Sequence, residues 1–346
     1  VGSTGMMSAA GTEADIDRRN VSDAWGVVVL GACAVWPLIS ATVRDGRPEG
    51  VLLAVLAVAA GYAAGRMSGA LLPVAAPCAG ALAGLGLAVA GPHVAPGPQF
   101  TSLGHAGAVA ALLALATGGA CCAAWATPVP ALRLGLWTLA AGITVAGAAL
   151  DSAAGCAASA AVLLCSLAAG RTRHRGAGVA GLALAAVLVT GTVWAVAGNV
   201  LPAGPSSALE GLLTSHRVRL WRDALRLAHR NIALGAGPGR FGELSGSASD
   251  TLAPDGKPHS APLQQAAELG LVGGLLLAAA FCWLLYALWR SPRSTPVALT
   301  AGAALTVLAA VAAVGDALSF TTVSAGAGLL AGLATARPWA AGVPAG

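Results

Sequence analysis

Apolar runs of about 18 residues or more recur along this chain, and a helix of that length spans the hydrocarbon core of a bilayer. Charge is scarce between them: 57% of the 346 residues are hydrophobic and 10% are charged, where roughly 25% charge is usual in soluble domains. The chain is therefore expected to be an all-α polytopic membrane protein. Its net charge of +5 is small and its basic residues sit in loops, which points to topology and anionic partners rather than to nucleic acid.

The expected spans are 24–43, 51–65, 70–90, 103–126, 131–150, 152–170, 177–200, 269–289, 297–314 and 317–335, or about ten transmembrane helices. The first is too long for a signal-peptide core and is expected to stay as a span. The second is short, and the third carries Pro73 and Pro77. Small residues let helices approach closely, as at Gly61-Tyr-Ala-Ala-Gly65, a pattern read here as compositional bias rather than a dimerisation motif. All seven cysteines fall within expected spans, so neither a disulfide framework nor a zinc site is expected in the loops.

With the N-terminus in the cytoplasm, the inner ends of the spans collect Arg18, Arg19, Arg66, Arg133, Arg171, Arg173, Arg175, Arg290, Arg293 and Arg337. The short outer loops hold only Arg44 and Arg47. This is the asymmetry of the positive-inside rule. It divides the chain into a cytoplasmic tail (1–23), a first set of transmembrane helices (24–200), an extracytoplasmic loop (201–262), the last helices (263–336) and a second cytoplasmic tail (337–346).

The large outer loop breaks the charge rule, because Arg217, Arg219, Arg222, Arg226, Arg230, Arg240 and Lys257 all stand between Thr214 and Gly270. Arg219, Arg222, Arg226 and Arg230 follow one another at helical spacing and line one face of a helix expected over 212–233. Leu220, Trp221, Ala224, Leu225 and Ala228 supply the other surface, and the tryptophan suits the headgroup level. Two readings fit: an interfacial helix whose arginines snorkel to lipid phosphates, or a site that grips an anionic lipid-linked substrate. Gly235-Ala-Gly-Pro-Gly239 lacks the lysine and hydroxyl residue of a phosphate loop and is expected to end the helix and turn the chain back.

His259 stands just before the eighth span. A loop histidine is more often a solvated surface residue, but this one can face the same vestibule as the arginines. A neutral imidazole accepts a proton from a sugar hydroxyl near neutral pH, while guanidinium groups bind phosphate oxygens and stabilise a departing pyrophosphate. Together they make a metal-free transfer site. His93, His105, His174, His216 and His229 rank lower, and Asp151 and Asp316 lie near outer ends of spans, Asp316 as a possible lining of the cavity. No HExxH, GxSxG or paired-acid metal motif is present.

Several of these residues form an ordered pattern: Arg217-x-x-x-Trp221-x-x-Ala224-Leu225, Gly235-x-Gly237-x-Gly239-x-Phe241, His259-Ser260-x-x-Leu263 and Glu268-x-Gly270-x-x-Gly273. Over these sixty or so residues (about 217–273) the chain resembles the bacterial O-antigen ligase and polymerase family. The resemblance implies a GT-C-like glycosyltransferase of the inner membrane. It would take a glycan from an undecaprenyl-diphosphate carrier on the outer side, by inverting transfer with no metal, nucleotide sugar or other cofactor. It places the catalytic histidine at His259 and the loop arginine at Arg217. Arg219, Arg222 and Arg226 are added as substrate-binding neighbours from helical geometry, and Glu268 as a residue that orients the histidine or caps the eighth helix. The implied partners are a lipid-linked oligosaccharide donor, a glycan or lipid acceptor, and membrane lipids.

The chain departs from the family pattern at Ser152-Ala-Ala-Gly155, where family members often carry an arginine that helps to hold the diphosphate. Two other readings compete. A transporter or flippase would place ionisable residues at mid-membrane, where this chain has almost none. A catalytically silent member would bind anionic lipid through the basic helix without turnover.

Overall fold

The computed structural model describes residues 4–94, 102–199, 215–245 and 257–339, and the regular structure there is helical. The parts of the expected loop and tails at 1–3, 200–214, 246–256 and 340–346 lie outside the described residues. In chain order the helices are α1 (Thr4–Arg44), α2 (Glu49–Leu71), α3 (Ala75–Val94), α4 (Ser102–Ala126), α5 (Pro130–Ala149), α6 (Ala153–Ala169) and α7 (Arg175–Ala197). They continue with α8 (Ser215–Arg230), α9 (Phe241–Leu244), α10 (Ala261–Trp289), α11 (Thr295–Val314), a 3-10 turn (Ala317–Ser319) and α12 (Thr321–Thr335).

Seven of these are long and apolar enough to cross a membrane: Asp23–Arg44 within α1, then α2, Ala106–Ala126 within α4, α5, α7, α10 and α11. Ala153–Ala169 and Thr321–Thr335, 17 and 15 residues long, are apolar but shorter than the roughly 18 residues that a full crossing asks for, and α3 is an apolar helix of 20 residues. Of the ten apolar stretches expected from hydropathy, seven are thus of spanning length among the described residues. The protein is a helical membrane protein.

The bundle is built around α4. Its apolar segment is 89% buried and that of α11 is 72% buried, against 17% for α1 and 11% each for α2 and α7. Ala, Cys and Leu side chains of α4 form the centre of the main core, with residues of α3, α5, α6, α11 and α12 packed around it. On the perimeter, Val27, Val28, Leu184, Val187 and Leu188 are exposed, which suits hydrocarbon as the surrounding solvent and would be an oversized apolar patch in water.

Gly61 and Gly65 do more than reflect composition. Main-chain atoms of Ala325 and Leu329 occupy the space where their Cβ atoms would sit, and Gly328 and Gly332 face Val58 and Tyr62 in the same way. The small residues bring α2 and α12 into backbone contact within one chain.

The helix α10 departs from expectation. It begins at Ala261 rather than Leu269, and Gly270 breaks it with φ 71° and ψ −166°. The first limb contains Gln264, Gln265 and Glu268, too polar to register as part of a span, yet Leu263 and Ala267 are fully buried against α8. Hydropathy missed the limb because it is stabilised by one packed face rather than by overall apolarity.

Candidate functional site

The site is assembled where α8, the glycine turn after it and the first limb of α10 meet. The 16-residue α8 is the expected amphipathic helix, and its apolar face is a core rather than a membrane contact. Val218, Leu220, Trp221 and Ala224 pack with Phe241, with Leu263 and Ala267 of α10, with Ala313, and with Val193, Val196 and Ala197 at the end of α7. Trp221 is 0% exposed, so it fills the interior of this cluster instead of lying at headgroup level.

The glycine turn ties α8 to the break in α10. Ala236 N donates to Ala267 O and Gly237 N to Glu268 O, both at 2.9 Å, and Leu271 N donates to Ile232 O at 2.8 Å. Gly235 has φ 69°, and a Cβ there would meet the Glu268 carbonyl; one on Gly270 would lie 2.5 Å from Ala233 O. Only glycine fits at both places. The turn does end the helix and reverse the chain, and its close packing is what forms the joint.

Glu268 is 3% exposed. It accepts a hydrogen bond from Gly239 N at 3.0 Å and another from Gln264 Nε2 at 3.3 Å, and the Phe241 amide also bonds to it. Its carboxylate therefore serves the amides at the start of α9, the helix across the turn, where a negative charge is favoured. It stands at the end of the first limb of α10, away from the N-terminus that it was expected to cap.

Because α8 and this limb end together at the joint and pack side by side before it, they run in the same sense. Arg217 and His259 each stand at the start of one of them. His259 has φ 50°, and it is the one non-glycine residue with positive φ among those described that is neither Asp nor Asn. Such a backbone is uncommon for residues other than glycine, although histidine adopts it more readily than most, and strained backbone clusters at functional sites. Next to it, Ser260 is 1% exposed, and its hydroxyl, like the Trp221 indole N–H, is buried without a hydrogen-bond partner among the described residues.

The arginines separate into two groups. At 100° per residue, Arg217 falls in line with Trp221 and Ala224, on the buried face. Burial lowers the pKa of its guanidinium. No carboxylate among the described residues forms an ion pair with it. Arg219, Arg222 and Arg226 point the other way, so the helix does not bring them together with Arg217. Arg219 and Arg226 are exposed, and Arg226 pairs with the buried Asp223, which also accepts from Ser245 Oγ at 3.0 Å. Arg222 Nη2 reaches Asn199 Oδ1 at 3.4 Å.

Sequence reasoning missed two features. The Asp223–Arg226 pair has i, i+3 spacing, which could have flagged it. Lys257 Nζ lies 3.4 Å from Asp316 Oδ2, joining the approach to His259 to the turn after α11, and no local pattern signals that contact. At the departure from the family pattern, Ser152 caps α6 by accepting from Gly155 N at 3.1 Å. The side chains of His93, His105 and His216 lie outside the described residues. Among those described, no three His, Cys, Asp or Glu side chains gather as a metal-binding group.

Residues 134–278 match the family model described as O-antigen ligase, which supports an O-antigen ligase-like family for this chain. The match runs from α5 through α8 and the glycine turn into the second limb of α10, and so includes both Arg217 and His259. No curated protein and no solved structure matches the chain.

Proposed function

We propose that the protein is a membrane glycosyltransferase that moves a glycan from an undecaprenyl-diphosphate carrier to an acceptor hydroxyl, as a ligase or polymerase. The observation that carries this reading is Arg217: a guanidinium in the buried face of α8, with no carboxylate partner among the described residues, at the same end of the paired limbs as His259. A cation held partly out of water without a counter-charge is suited to an anionic ligand, and its bidentate donors match phosphate oxygens.

In the reaction, the His259 imidazole accepts the proton of the acceptor hydroxyl as its oxygen attacks the anomeric carbon. The bond from that carbon to the diphosphate breaks, and its electron pair goes to the diphosphate oxygen, where Arg217 stabilises the charge. Attack opposite the leaving group inverts the anomeric configuration, and the imidazolium returns its proton to water. This needs no metal, and the site would face the outer side of the bacterial inner membrane. Arg219, Arg222 and Arg226 belong to the opposite face and attract anionic lipid to the helix rather than holding the reacting group.

The test uses purified protein with an undecaprenyl-diphosphate-linked oligosaccharide and a glycan acceptor. His259→Ala and Arg217→Ala should each abolish transfer while leaving expression and elution behaviour unchanged. Undiminished transfer by either variant overturns its role. Saturable donor binding by the wild type with no covalent product would instead identify a silent, lipid-binding member, the outcome to which Ser152-Ala-Ala-Gly155 would then be relevant. Donor appearing on the opposite leaflet of vesicles without product would identify a flippase.

A further inference from the structure

The turn between α1 and α2 carries the two outer-loop arginines, Arg44 and Arg47, that the proposed transfer reaction leaves unused. The tertiary structure gives them a third companion. Arg47 N donates to Pro238 O at 2.7 Å and Arg240 Nη1 donates to Arg44 O at 2.8 Å, so the far side of the glycine turn is stapled to this loop. The arginine stems line it closely. A Cβ on Gly237 would lie 3.0 Å from Arg44 Cβ and 3.2 Å from Arg240 Cδ, and one on Gly239 would lie 3.5 Å from Arg47 Cβ.

The counter-charge is small. Glu243 meets Arg240 Nε at 3.3 Å in a pair whose carboxylate side chain is 60% exposed, a geometry in which ion pairs hold weakly. Glu268 lies beyond the turn, turned to the amides of Gly239 and Phe241. Asp45 and Glu49 are exposed, and neither is in an ion pair with Arg44 or Arg47 among the described residues. Arg44 Nε is buried and has no hydrogen-bond partner among the described residues. The C-terminus of α1 favours a cation there, which explains the charge but leaves that donor unsatisfied, and an unsatisfied buried donor is costly.

We propose that Arg44, Arg47 and Arg240 form a binding site for the phosphate of a membrane-lipid headgroup, separate from the Arg217–His259 end of the limbs. The depth argues for a lipid. Asp23–Arg44 is a helix of spanning length and α2 begins a second one at Glu49, so the turn sits where spans end and phosphate headgroups lie. Basic side chains clustered at that level bind anionic lipids. The Arg44 Nε donor and the two neighbouring guanidinium groups supply the charge-assisted hydrogen bonds that a phosphate accepts.

The experiment is equilibrium binding to the full-length protein in detergent, with short-chain phosphatidic acid, inorganic phosphate and uncharged diacylglycerol as separate probes. Phosphatidic acid should bind saturably and diacylglycerol should not. Arg44→Gln and Arg47→Gln should each raise the dissociation constant about tenfold, the loss of one charged hydrogen bond, while Arg290→Gln at the other end of the bundle leaves it unchanged. Arg47 is exposed, so its variant reports on binding even if Arg44→Gln fails to fold. Inorganic phosphate that binds alone, with the same loss in both variants, retains the site and identifies a free anion as its occupant. Equal binding by wild type and both variants overturns the proposal, as does loss confined to Arg217→Ala, which would locate the phosphate at the transfer site. Binding is read without turnover, so an inactive transferase leaves the result intact.

Discussion

The two ends of the bundle use arginine in opposite ways. At the end where α2, α10 and α12 finish, guanidinium groups are consumed by the fold. Arg293 donates to Gly69 O at 2.7 Å and to Ala336 O at 2.9 Å, Arg175 to Ser291 O at 2.6 Å and to Arg293 O, and Arg133 to Thr127 O at 2.9 Å. Arg66 pairs with Asp23 at 2.9 Å. Gly69 O lies in the last turn of α2, where carbonyls lack helical partners, and the others belong to the turns beside helix ends; the arginines close them. At the end built by α8 and the first limb of α10, Arg240 also closes a helix-end carbonyl, Arg44 O, but among the described residues Arg44 Nε has no hydrogen-bond partner and Arg217 no carboxylate partner. One end uses all of these guanidinium groups in the fold; the other leaves part of its charge without a protein partner among the described residues.

The largest effects should fall on activity at the second end. His259→Ala or Arg217→Ala should lower transfer at least about a hundredfold, the scale of losing one pre-placed charge-stabilising or proton-accepting group, with the melting temperature unchanged. A matching fall in stability would erase the contrast between the ends. Next comes the joint. Gly270→Ala adds a Cβ against Ala233 at a φ that side chains avoid, so folded yield should drop together with transfer, as read by monodisperse elution. Trp221→Ala empties the middle of the loop-side cluster and should cost about 3–5 kcal/mol, seen as a lower unfolding midpoint.

Arg293→Ala tests the closed end. It removes charge-assisted bonds to Gly69 and Ala336 and should cost about 1.5–3 kcal/mol, while transfer per folded molecule stays at the wild-type level. A selective loss of transfer would show that this end is not merely structural. Arg226→Gln should have the smallest effect, within about 1 kcal/mol of wild type, because the exposed end of the pair contributes little, the buried Asp223 keeps its bond from Ser245, and this face of α8 is turned away from Arg217.

Much of this architecture was legible in advance. Apolar runs located the helices because a lipid-exposed segment must be apolar along its whole length, and the spacing of Arg219, Arg222, Arg226 and Arg230 revealed an amphipathic helix. What periodicity could not reveal was the partner of each face. The arginine stripe drew attention as the binding surface, while Arg217, out of step with it, lay on the face that becomes buried. The polar first limb of α10 escaped notice for a related reason: its stability comes from contact with α8, a segment distant in sequence.

By itself, then, the sequence determined the solvent of this protein, the helical class that follows from it, and the stretch in which polar chemistry is concentrated. These depend on composition and on periodicity within one segment. The tertiary structure alone decided which charges are neutralised and which are kept. The carbonyls that satisfy Arg293, the acid that meets Lys257 and the burial that isolates Arg217 all come from elements far apart in the chain. Whether a guanidinium is a structural clamp or a ligand-binding group depends on what the fold places within hydrogen-bonding reach of it.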